Sequence, residues 1–107
     1  MAGFVERAVR RMREDRGFSR NRHFLALSSP EGRRAVRIHR HLLSVERDLR
    51  AGLPARAERL DGRVRITVRH RAGTRTAWLT PAEFRILCSS PAVRAALGEA
   101  CGPADPT

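Results

Sequence analysis

Arg63-Val64-Arg65-Ile66-Thr67-Val68-Arg69-His70-Arg71-Ala72-Gly73-Thr74-Arg75-Thr76-Ala77-Trp78-Leu79-Thr80 is the stretch on which the fold turns. Its first half alternates strictly. Val64, Ile66 and Val68 share one parity, and Arg63, Arg65, Thr67 and Arg69 share the other. Period two is the repeat of a strand with one buried and one wet face. Arg71-Ala72-Gly73 supplies a turn, and Thr74 to Leu79 returns as the partner strand. The spacing predicts a β-hairpin, 62–70 with 74–80, whose apolar face needs a cover.

The cover is written in the prolines. Ser29-Pro30, Thr80-Pro81 and Ser90-Pro91 each place a capping hydroxyl before a proline at the first helical position, where a missing N–H costs nothing. Thr80-Pro81-Ala82-Glu83 is also a capping box. Helices are expected over 30–51, 81–89 and 91–100. The first is the strongest element: Ala35, Ile38, Leu42, Val45 and Leu49 step by three and four, and Val36 and Leu43 widen the stripe. Gly52 and Pro54 end it.

An earlier helix is expected over 3–15, with Phe4, Val5, Ala8, Val9 and Met12 on one face and Gly17 as its stop. Such a basic amphipathic helix suits an anionic membrane surface, but packing on the core is the stronger reading. Residues 22–28 are a candidate third strand; a short helix capped by Ser19 fits the same residues. Residues 53–61 read as a polar connection with room for a turn of helix. The expected fold is therefore α+β. A small antiparallel sheet is covered on one face by helices, and helix 30–51 dominates. One basic domain over 1–101 and a frayed tail over 102–107 suit 107 residues, about the size of one core. Phe4, Phe18, Phe24, Phe84 and Trp78 are expected as the large pieces of that core.

Ala77-Trp78-Leu79-Thr80-Pro81-Ala82-Glu83-Phe84-Arg85-Ile86-Leu87 resembles the strand-to-helix junction of the winged-helix effector domains of response regulators. The resemblance covers these eleven residues alone, and a capping box with an amphipathic turn generates most of it. That family's recognition helix and wing have no counterpart in the expected elements that follow. No function is transferred.

The formal net charge is +11, from 22 basic and 11 acidic residues, and every cation is Arg. GC-rich coding favours Arg over Lys by codon supply, but it does not explain an excess of cations over acids. That excess attracts polyanions, nucleic acid foremost. Cys88 and Cys101, without zinc spacing or a signal peptide, read as small buried thiols in a reducing cytoplasm. A bond between them stays open, since both fall in the last helical region. No apolar run is long enough to span a membrane.

Three arrangements could bind a partner. On the hairpin, Arg63, Arg65 and Arg69 project from one strand face without an acid among them, and Arg71 and Arg75 flank the turn. Same-face residues of a strand repeat every ~6.6–6.8 Å, close to the spacing of phosphates along a nucleic-acid strand. On helix 30–51, Arg33, Arg37 and Arg40, with Arg47 further on, line the side roughly opposite the apolar stripe. In the linker, Arg20 and Arg22 interleave with Phe18, Asn21 and Phe24, residue types that read and stack exposed bases. A solvated sheet face, a solvated helix face and core aromatics are the structural explanations of the same residues.

His39 and His41 lie on different sides of their helix and cannot share a metal. No nucleophile, base or acid set can be assembled, so no catalysis, cofactor or metal is expected. The leading expectation is a non-enzymatic nucleic-acid-binding module, for RNA or DNA, held by phosphate contacts. The alternative is a protein-interaction module that docks on an acidic partner, or a homodimer through helix 30–51.

Overall fold

A computed structural model of the protein describes residues 2–14 and 29–102. The elements run α1 (Ala2–Glu14), α2 (Pro30–Arg50), β1 (Ala55–Leu60), β2 (Arg63–His70), β3 (Gly73–Leu79), α3 (Pro81–Leu87) and α4 (Pro91–Leu97), closed by a 3-10 turn, Gly98–Cys101. The three strands form one antiparallel sheet in the order β1-β2-β3, so the α+β class read from the sequence is the one observed. Two compact units divide the chain, Met1–Leu43 and Ser44–Thr107, and the boundary falls within α2.

In the first unit, α1 buries Val5, Val9 and Met12, and α2 buries Ala35, Val36 and Leu42. All six belong to the stripes that the spacing marked, but Ile38 is only half-buried and Leu43, counted with them, is exposed. The Ser29 hydroxyl accepts a hydrogen bond from the Gly32 N–H at 2.9 Å, which caps α2 as expected.

The sheet belongs to the second unit. Its central strand β2 follows the predicted parity, with Val64, Ile66 and Val68 buried and Arg63, Arg65, Thr67 and Arg69 open to solvent to varying degrees. The third strand is β1, in the stretch read as a polar connection, while the candidate strand 22–28 lies outside the described residues. Asp61-Gly62 explains the difference. Both residues adopt positive φ, 50° and 74°, as a two-residue hairpin turn of the primed type requires. Leu60 then pairs with Arg63, and the register runs back to Ala55 opposite Val68. Ala-Arg-Ala-Glu-Arg-Leu has little intrinsic strand preference; pairing against a half-buried neighbour overrides it.

The inner face of this sheet is the core of the unit. Ile66, Leu79, Val64 and Leu87 are almost fully excluded from water, with Val45, Leu49, Phe84, Ile86 and Val93 around them. On β1 the residues of inward parity are Ala55, Ala57 and Arg59, and α4 with the 3-10 turn packs on this strand. Small side chains there let the cover approach. The Arg59 guanidinium lies 5.5 Å from the centre of the Phe84 ring.

Pro81 and Pro91 open α3 and α4 as expected, although both helices end earlier than read, at Leu87 and Leu97. Thr80 and Glu83 form the complete capping box. Ser90 departs from its expected role. Its hydroxyl makes no cap hydrogen bond and instead donates to Glu46 Oε2 at 3.0 Å. Glu46 is buried, and Arg50 donates to the same oxygen. A buried carboxylate without donors would be costly, so the buried charge has redirected the cap hydroxyl.

Cys88 and Cys101 correct the expectation of two free thiols: a disulfide joins them. The short α4 and its closing turn fold the chain back on itself and bring the two Cα atoms to 5.6 Å, within the range a disulfide spans. The argument for a reducing compartment that rested on free thiols falls with them. No described helix is long and apolar enough to cross a membrane.

Candidate functional site

The face of the sheet turned away from the core is assembled from three strands, and the register states which side chains meet on it. Glu58, Arg65 and Trp78 form one cross-strand row; Arg56, Thr67 and Thr76 form the next; Arg69 lies opposite Thr74, and Arg63 opposite Leu60. Directly opposed side chains on one face lie about 4.5–5.5 Å apart at Cβ and interact. The surface thus carries four arginines, one glutamate, three threonines, one leucine and one indole.

Arg65 is the best-anchored cation of this surface. Its guanidinium donates to Glu58 Oε1 at 2.8 Å, and its Cζ lies 5.8 Å from the centre of the Trp78 ring. The pair and the cation–π contact hold a long side chain in one arrangement. Arg56 Nε lies 3.6 Å from the same Glu58 oxygen. The hydrogen bond from Arg65 is the main reason the Glu58 carboxyl ionises below its ordinary 4.5. Desolvation opposes this, and the charges of Arg65 and then Arg56 add to it. Because the folded value is depressed, this contribution is present above the unfolded value and lost as pH falls through the folded one. Arg63 and Arg69 are exposed, and no ion pair among the described residues involves them.

Trp78 was expected in the core and stands instead on the outer face, with 47% of its surface open to water. Ala77 and Leu79 on either side are buried, and strand parity turns Trp78 outward. Glu58 was missed for a different reason: with 55–60 read as a connection, the hairpin face had no acid. Asp61-Gly62 was the signal for both the missing strand and its acid.

Arg75 leaves the candidate surface. It lies opposite Val68, on the side that faces the helices, and its guanidinium donates to Asp48 Oδ2 at 3.2 Å and to Ser44 Oγ at 2.6 Å. His70 Nε2 comes within 3.2 Å of the same Asp48 oxygen without hydrogen-bond alignment. Asp48 therefore gathers two basic groups of the hairpin, and Arg75 serves to hold α2 against it. Arg71 is exposed in the turn between β2 and β3.

Arg33, Arg37 and Arg40 belong to the first unit, where all three are exposed; Arg33 and Arg40 each engage a partner. Arg20 and Arg22 lie outside the described residues. The site that the described residues bring together is thus Arg56, Arg63, Arg65 and Arg69 on one sheet face, with Trp78 beside Arg65. No protein family, no curated protein and no solved structure shows significant similarity to this chain.

Proposed function

We propose that the protein is a non-enzymatic nucleic-acid-binding module that contacts phosphates through the open face of its sheet. The observation that carries this reading is the concentration of Arg56, Arg63, Arg65 and Arg69 on one exposed face against the single acid Glu58. Ordinary outer faces of antiparallel sheets mix the two signs. Here the imbalance adds to a chain that already carries +11. Arginines on a strand repeat at a distance that follows a phosphate backbone, and each neutralised phosphate releases counterions.

Fluorescence anisotropy with labelled oligonucleotides, titrated with salt, tests the reading. With up to four phosphate contacts, log K against log salt should fall with a slope of about −3. Affinity should remain clearly above that of an unrelated protein of equal net charge at physiological salt. Binding no tighter than that control would sink the proposal. The alternative, docking on an acidic protein or self-association through α2, rests on Leu43, which is 41% exposed, since its companion Val36 is buried.

Glu58 makes a sharper expectation within the same surface. A phosphate must compete with this carboxylate for Arg65. Glu58→Gln should therefore bind nucleic acid more tightly than the wild type, and its salt slope should steepen by up to about one contact. In the wild type the same gain should appear as pH falls below the ordinary carboxylate range and Glu58 takes up its proton. Weaker binding by Glu58→Gln, with the fold retained in circular dichroism, would show that Glu58 positions Arg65 and does not compete for it.

A further inference from the structure

We infer that the ligand of the sheet face is single-stranded nucleic acid, with one base stacked on the ring of Trp78; this rests on the phosphate-binding reading above. Among the described residues the indole is the large aromatic left half open, and it stands in the arginine surface beside Arg65, not apart from it. An exposed flat ring beside cations is the combination that holds unpaired bases. The π-face accepts any base, and the cations hold the strand on which it sits.

The geometry separates single strands from duplexes. In a duplex the bases are already stacked on their neighbours, and a ring on a sheet surface meets only backbone. An unpaired base can turn out and lie on the indole. Arg63 and Arg69 mark the ends of the β2 ladder, six residues apart, which is about 20 Å of strand. That length accommodates roughly four nucleotides, at the lower end of the site sizes of such surfaces. Thr67, Thr74 and Thr76 share the face and offer hydroxyls that both donate and accept. Arg65 already lies beside the ring, so the platform exists before the strand arrives.

Trp78 is the only tryptophan in the chain, so intrinsic fluorescence reports this ring alone. The test is a fluorescence titration of the whole protein at physiological salt with ten-nucleotide oligo(U), ten-nucleotide oligo(dT) and a duplex of equal phosphate number. Saturable quenching by both single strands is expected, with the duplex at least tenfold weaker. By anisotropy, Trp78→Ala should lose about tenfold or more of its single-strand affinity. Its duplex affinity and circular dichroism should stay unchanged, and Trp78→Phe should retain most of the binding. A consistent advantage of oligo(U) over oligo(dT) would identify the source of the strand as RNA through its 2′-hydroxyls. Equal affinities assign the face to either. Equal binding of single strand and duplex, or a Trp78→Ala variant as tight as wild type, would overturn stacking and leave the phosphate reading standing. No binding of any of the three would overturn both.

Discussion

Replacing Cys88 and Cys101 together by alanine should lower the melting temperature on the order of 10–20 °C, which corresponds to a loss of about 3 kcal/mol. The bridge closes a loop of sequence separation 13, from the end of α3 to the closing 3-10 turn, with α4 inside it. Cross-linking such a loop restricts the unfolded chain more than the folded one. The segment it holds is the cover of β1, an edge strand whose inward alanines bury little area by themselves. Thermal unfolding followed by circular dichroism checks the expectation. Reductant should produce a similar drop in the wild type and none in the double variant. A double variant that melts with the wild type would mean that the two sulfurs act only as small buried hydrophobes.

The second large effect concerns the ligand. Changing Arg63, Arg65 and Arg69 together to alanine should remove most of the affinity for a single-stranded oligonucleotide and lower the magnitude of its salt slope by about 2. The three side chains lie on the solvent side of β2, and their loss leaves the buried row Val64, Ile66 and Val68 intact. The fold should therefore survive, which unchanged circular dichroism would establish. Arg75→Ala is the informative contrast. It removes a single charge of the same kind from the same hairpin, but from the side where Asp48 and Ser44 engage it. It should cost stability and leave the salt slope nearly unchanged. Equal losses of slope per arginine at all four positions would mean that net charge, not the face, governs binding.

The helix starts and the central hairpin were legible because each is decided locally. A hydroxyl before proline and an alternation of valine with arginine need no distant partner to take effect. What the sequence concealed depended on neighbours across the sheet. Ala55–Leu60 is a strand because Arg63–His70 lies beside it, and Glu58 reaches Arg65 only in that register. Trp78 was misplaced because size was weighed above parity: an indole flanked by the buried Ala77 and Leu79 must point the other way. The same parity puts Arg75 with the core residues, which its position near the turn had hidden. The pairing of Ser90 with Glu46 joins residues 44 apart along the chain, and the disulfide depends on how α4 and its closing turn fold back; only the folded chain brings either pair together.

The sheet is a meander, and this bears on how quickly the proposed binding face can assemble. Its strands follow one another through two-residue turns, so even the widest pair of the β2–β3 ladder, Val64 with Leu79, spans 15 residues. Loop-closure entropy grows with the logarithm of such a span, and pairings this local close at little cost. The distant contacts belong to the helices: Ser44 of α2 reaches Arg75 across 31 residues, Glu46 of α2 reaches Ser90 across 44, and α4 with the closing turn packs on β1. Contact order in this part of the chain is thus carried by the packing of helices on the sheet. The surface that meets the ligand is made almost wholly from neighbours in sequence, the class of contact associated with fast folding.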